Sequence, residues 1–243
     1  MITLSASKIS QALGVYGFEG IDACTRDCVR SYYQKESEFS QSIASEYSSS
    51  FKEMAIADFS METSIDVDEA DFFKYGDYVG IKPDGICADG SIVYAICRYA
   101  DRNKSEFESC IEQQKVMIYA HYSMLASNTT KCHVIQWSSL NSRIETIKFS
   151  KKFIDRTMPL INDFVENVKE AVDLDSERHL VPIDNSKKAI NAKESYLKAH
   201  SNLAMAREKL RRAQENISSL CDKDKINIAG LLLTPTDNGV EIS

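Results

Sequence analysis

The chain predicts an α+β (mixed α/β) fold that ends in one long heptad helix and a terminal hairpin. Helical and strand periodicities alternate through the first 172 residues. A Pro-Asp-Gly segment and an Asp-Gly turn sit between two strand-like runs in the middle of that stretch. Beyond residue 186 a seven-residue apolar repeat sets in.

Ser5 opens a short helix that Gly14 closes. A second helix is expected from about Asp22 to Gln34, burying Ile21, Cys24, Cys28 and Tyr32. Residues 38–50 are polar and serine-rich, and a helix is expected to continue from Phe51 to about Glu62. Ile65 and Val67 alternate with aspartates, which fits a strand. Tyr78 to Ile86 reads as a second strand, and Asp89-Gly90 turns it into a returning strand, Ser91 to Cys97. A helix follows from about Phe107 to Leu125, then strands at 131–137 and 143–149, then an amphipathic helix from Lys151 to Val172. The expected organisation is a body over residues 1–172, a linker over 173–186, and a helical arm with a terminal hairpin over 187–243. The hairpin is expected to turn at Asp237-Asn238-Gly239.

In the arm, Ala189, Tyr196, Leu203, Leu210 and Ile217 are seven apart, and Ala192, Ala199, Ala206, Ala213 and Leu220 follow each by three. This a/d pattern over about five heptads predicts helix–helix association, within the chain or between chains. Lys198, Arg207, Lys209, Arg211 and Arg212 form its polar side. The expected partner- or DNA-binding residues are therefore Lys198, Leu203, Arg207, Leu210, Arg211, Arg212 and Ile217.

Composition narrows the function classes. Of 243 residues, 43% are hydrophobic, enough for a full core. No apolar run reaches the roughly 18 residues of a membrane span, and the first residues lack a signal-peptide layout, so a cytoplasmic protein is expected. Seven scattered cysteines without a CxxC pair point to buried thiols and away from a zinc or iron–sulfur site. The formal net charge is -7, and residues 1–110 carry 10 Lys/Arg against 19 Asp/Glu. Residues 186–223 reverse this balance, with 9 against 4. A nucleic-acid binder normally shows a basic face, and the first half shows none. No phosphate-binding glycine loop and no GxSxG elbow is present.

Four segments carry a resemblance: Met54 through Val67; Lys82-Pro83-Asp84-Gly85-Ile86-Cys87-Ala88-Asp89-Gly90; Tyr122-Ser123-Met124; and the strand ending at Trp137. In that order they resemble the PD-(D/E)xK, restriction-endonuclease-like nucleases, and most of all the lambda-exonuclease (YqaJ-type) family of phage recombination. The resemblance covers roughly residues 48–168. It implies a site in which an Asp, the Glu of an ExK on the next strand and a Glu from an earlier helix hold Mg2+, with the ExK Lys orienting the nucleophile and a Gln on the following helix helping to hold the site. A metal so held polarises the phosphate and acidifies the attacking water.

Position by position, the chain departs from that pattern. Asp84 matches the family Asp. ExK falls on Ala95-Ile96-Cys97 or, without a gap, on Tyr94-Ala95-Ile96. The helix Glu falls on Lys52, the preceding Gly on Ser48, and the Gln positions on Tyr119 and His121. The resulting expectation is a protein that is not an enzyme and needs no cofactor. It would keep the nuclease fold for binding a protein partner and DNA in a phage or mobile element. Two alternatives stand beside it. One is a metal-dependent 5'-3' DNA exonuclease, using Mg2+ or Mn2+, with a site rebuilt around Asp84 and Glu112. The other is an inactive subunit of a homo-oligomeric ring.

Overall fold

The computed structural model describes residues 2–36, 42–182, 186–218, 226–228, 231–236 and 239–242, with side chains up to residue 216 except that of Phe18. Its elements are α1 (Ala6–Ala12), α2 (Gly17–Tyr32), α3 (Ile43–Thr63), β1 (Val67–Asp68), β2 (Phe73–Tyr75), β3 (Val79–Ile81), β4 (Gly85–Cys87), β5 (Ile92–Ile96), α4 (Gln114–Ser127), β6 (Lys131–Trp137), β7 (Ser142–Lys148), α5 (Lys151–Leu174), α6 (Ser176–Leu180), α7 (Lys187–Ser218), β8 (Ile226–Ile228), β9 (Leu231–Thr236) and β10 (Gly239–Ile242). They fall into two compact units, Met1–Pro182 and Ile183–Ser243.

The first unit is built on a five-stranded sheet of order β1-β4-β5-β6-β7. Its pairings are antiparallel except one: β5 pairs with β6 in parallel, Tyr94 opposite Val134. A parallel pair needs a long crossover, and α4 supplies it. Helices then cover both faces of β5, which explains its unbroken apolar run. Ile92 and Ile96 join Val116, Ala120 and Met124 of α4 on one face. Val93, Ala95 and Cys97 join Ala55 and Phe59 of α3 on the other. Gly90, at φ +79°, makes the β4–β5 turn, and Asp89 Oδ1 accepts the Ser91 N–H at 2.9 Å.

Beyond α4, helices α1, α2 and α5 form a second apolar layer around Ile9, Val29, Ile118, Tyr122, Ile161 and Val168. The 3.6-residue stripe of α5 (Ile154, Ile161, Phe164, Val165, Val168, Val172) faces it. Tyr122 donates its hydroxyl to Thr157 Oγ1 at 3.1 Å, tying α4 to α5 inside this layer.

Several boundaries differ from the sequence reading. α3 starts at Ile43, eight residues before Phe51, under a Ser42 cap. Its serines return their hydroxyls to the preceding turn, Ser49 to Ser45 O at 3.0 Å and Ser50 to Glu46 O at 2.8 Å, so the polar run is helix surface. The single strand expected over Tyr78–Ile86 is two strands broken at Lys82-Pro83, with β3 paired to β2 instead. The stretch 173–186 holds α6, whose carbonyls at Arg178 and Leu180 accept from Arg26 and Arg30 of α2 at 3.0 and 2.9 Å.

In the second unit α7 runs for 32 residues, and β8, β9 and β10 form an antiparallel sheet of order β10-β9-β8. The Ile217 side chain, Leu220, Cys221 and the Asp237-Asn238 turn lie outside the described residues. No helix among the described residues is long and apolar enough to cross a membrane.

This packing sets both the cost of a core truncation and a pH dependence. Phe59 is fully buried where α3 meets the sheet. Phe59→Ala should cost about 3–5 kcal/mol, read as a lowered midpoint of urea unfolding with little change in slope. His121, His133 and His179 are all held below the usual imidazole pKa, first of all by burial. The unfolded chain therefore takes up protons first, near pH 6.5. The stabilisation is complete above that pH and is lost as pH falls through it toward the lower folded values. Unfolding free energy should drop between about pH 7.5 and pH 5, and His121→Leu should flatten that slope; a pH-independent midpoint over this range would contradict it.

Candidate functional site

Asp84 stands at the break between β3 and β4, just after Pro83. Pro83 has no N–H to offer a ladder and holds the preceding residue extended, which separates the two strands here. The Asp84 N–H donates to Val93 O at 3.1 Å and so fixes the start of the β4–β5 ladder. Its Oδ2 accepts the Ala95 N–H at 2.9 Å, and its Oδ1 takes the Lys52 ammonium at 2.6 Å. The Asp84 side chain is only 9% exposed, and that of Lys52 is 37% exposed.

The helix repeat explains why Lys52 arrives there. Lys52, Ala55 and Phe59 are spaced by three and four, so they share the face of α3 that packs on the sheet. Ala55 and Phe59 occupy the core, and Lys52, one turn earlier, reaches the sheet end where Asp84 sits. Ala95 and Cys97 lie on this same side of β5 and are buried, whereas Tyr94 packs toward α4. Burial pushes the Cys97 thiol up to about 11, so it is neutral at physiological pH.

Two clefts open on either side of the Lys52–Asp84 pair. One, of about 590 Å³, has Lys52, Glu53, Asp68, Glu69, Lys82 and Asp84 in its wall. The other, of about 430 Å³, shares Lys52, Lys82 and Asp84 and adds Ser5, Ser7, Lys115, Tyr94 and Tyr119. Tyr94 and Tyr119 stack, with ring centroids 3.6 Å apart and planes 14° from parallel, and Tyr119 donates to Lys82 O at 3.4 Å. Burial, with the Asp84 charge nearby, raises the pKa of both phenols and keeps them protonated.

The other sequence-derived positions scatter. His121 is 1% exposed, its Nδ1 lies 2.9 Å from Met117 O, and its ring packs on Phe153 with centroids 4.3 Å apart. It is a core residue of the helical layer and lines neither cleft. Glu112 is exposed on a short 3-10 turn and is absent from both cleft walls, which corrects the expectation of a site rebuilt around Asp84 and Glu112. Gln113 is spent on structure, accepting from Arg98 at 2.7 Å and donating to Gln136 at 2.9 Å. The sequence reading missed Asp68, Glu69 and Lys82 as cleft residues and set Glu53 aside. Their signal was weak, because charged residues next to a short strand look like ordinary solvated surface.

These carboxylates do not make a metal shell. Mg2+ takes several oxygen ligands. One Asp84 oxygen is on an ammonium, the other on a backbone N–H, and Glu69 is paired with Lys82 at 2.5 Å. Among the described residues, no three His, Cys, Asp or Glu side chains come together as metal ligands. The arrangement as folded does not fit the divalent ion that the resemblance implies.

On α7, Lys198, Leu203, Arg207, Leu210, Arg211 and Arg212 are described with their side chains. All of them are exposed, as is Lys209. Glu208 accepts from Arg211 at 2.8 Å and from Arg212 at 2.8 Å, and Glu215 also pairs with Arg211. Those hydrogen bonds hold the Glu208 carboxyl down at about 2. The basic side of the arm is thus partly neutralised by its own helix.

No protein-family model matches the sequence, and no curated protein matches it significantly. Solved structures do match the fold. An alkaline exonuclease from Laribacter hongkongensis superposes with a TM-score of 0.59 at 12% identity, over 70% of this chain and 90% of its own. The same enzyme in complex with dAMP gives 0.60 at 13% identity, with the same coverage. A phage-related exonuclease from Haemophilus somnus 129PT gives 0.60 at 8% identity, over 71% of this chain and 96% of its own. These neighbours overturn the expectation of a protein that is not an enzyme, since the molecules that share the fold are exonucleases. Departures at Lys52, Ala95, Cys97, Tyr119 and His121 do not carry that conclusion by themselves. The mixed sheet and its flanking helices are those of a lambda-exonuclease-type nuclease fold.

Proposed function

We propose that this protein processes DNA in the recombination of a phage or mobile element, as a nuclease-type protein that holds a strand end in the clefts at Asp84. The observation that carries the reading is the wall of the 430 Å³ cleft, where three ammonium groups, Lys52, Lys82 and Lys115, stand against one carboxylate, Asp84. Lys52 and Lys82 lie within residues 1–110, where 19 acids stand against 10 bases, and Lys115 follows just beyond. Similarity to exonuclease structures supports the substrate class.

Phosphodiester oxygens are the natural partners of such a set, because an ammonium pairs with each without demanding a fixed geometry. The surrounding acids, Glu53, Asp68 and Glu69 of the other cleft among them, repel DNA and leave the 430 Å³ cleft as the favourable approach. Lys52 holds the key position. A phosphate drawn to it competes directly with Asp84 and leaves that carboxylate to accept from water or from a strand hydroxyl. The stacked Tyr94 and Tyr119 form a flat wall beside it against which a base can lie. Protonated phenols there donate hydrogen bonds and do not act as bases.

The test uses labelled linear duplex DNA, with covalently closed circles of the same sequence as competitor. Linear DNA should compete at least tenfold better. Lys82→Glu with Lys115→Glu should weaken binding by tenfold or more and lower the salt slope by about two. Nucleotide release from linear duplex should be lost in Asp84→Ala. Equal competition by closed circles, together with no nucleotide release from linear duplex, would overturn the reading.

A further inference from the structure

The charges on α7 are sorted by heptad position. Tyr196, Leu203 and Leu210 stand on the seam and are 66%, 49% and 60% exposed. Ala192, Ala199, Ala206 and Ala213 alternate with them along the same seam, so a second helix can approach closely. The positions that border the seam on its two sides hold Lys188, Lys193, Arg207 and Lys209 and not one Asp or Glu. The acids Glu194, Glu208 and Glu215 all fall on the position opposite the seam. There, Glu208 and Glu215 are spent on Arg211 and Arg212. Bordering residues set partner choice in paired helices, because they meet the borders of the partner.

Three occupants suit an exposed helix with cations, and the sorting separates them. A second copy would bring Lys188 against Lys193 in a parallel pair, and cations against cations in an antiparallel one, which is repulsive. DNA would use the cations and leave the apolar seam in water. An acidic helix satisfies both features. We propose that α7 is the docking site for an acidic amphipathic helix of a partner protein, seated on the seam from Ala189 to Ala213 with its carboxylates against Lys188, Lys193, Arg207 and Lys209. This inference does not rest on the DNA reading, since it uses neither cleft.

The experiment uses the full chain and two labelled four-heptad peptides with Leu at both seam positions. One carries Glu at the bordering positions, and the other carries Lys. Fluorescence anisotropy should show the Glu peptide binding at least tenfold tighter than the Lys peptide and weakening as salt is raised. Leu203→Asp with Leu210→Asp should abolish that binding while far-UV circular dichroism stays unchanged. Lys193→Glu with Arg207→Glu, a pair that keeps the apolar seam, should reverse the preference between the peptides. Three results would overturn the proposal. These are equal or absent binding of both peptides, a dimer in sedimentation velocity that the double Asp variant dissolves, and displacement of the Glu peptide by duplex DNA.

Discussion

The parallel pairing of β5 with β6 organises the first unit. It obliges the chain to cross from one end of the sheet to the other, and α4 makes the crossing. Once α4 lies on one face, the alternate residues of β5 need cover on the other, and α3 provides it through Ala55 and Phe59. The position of Asp84 follows from the same strand. Its backbone pairs with Val93 and its carboxylate with the Ala95 N–H, so β5 sets the height at which the carboxylate stands. The helix that covers β5 then delivers Lys52 to it. Core packing and site geometry are two results of one pairing.

At the site an ammonium neutralises the Asp84 carboxylate. An ammonium and a bound metal both neutralise a carboxylate, yet they differ in what remains. A metal keeps open positions for phosphate oxygen and water. Lys52 has three donors on a flexible stem and can pass from Asp84 to a phosphate without leaving the protein. Because Lys52 is more than a third exposed, water screens the pair and the exchange is not prohibitive. The two clefts share Lys52, Lys82 and Asp84 in their walls.

The two units treat charge differently. In the first, bases are few and several of them gather at the clefts, in a chain segment dominated by acids. On α7 of the second, the three acids share one side of the helix, where Glu208 and Glu215 hold Arg211 and Arg212. Both patterns bring cations together, in a concave wall in the first unit and beside exposed apolar residues in the second.

Local periodicity was sufficient for much of this protein. The α1 cap at Ser5, the turn at Gly90, the stripe of α5 and the length of α7 are short-range properties, set by side chains within a turn or two of one another. Asp84 likewise stood out in the sequence through the motif around Pro83. What depended on tertiary structure was contact between distant segments. The serines of residues 42–50 have weak helix preference, and α3 extends over them because its continuation is anchored on the sheet. β2, β3 and α6 are too short to show a period, and exist through pairing with each other or through Arg26 and Arg30 of α2. Lys52 and Asp84 are 32 residues apart, and only the docking of α3 on β5 brings them to 2.6 Å. Glu53, Asp68, Glu69 and Lys82 became cleft residues for the same reason: a charged side chain beside a short strand carries no local mark of the wall that folding will build around it.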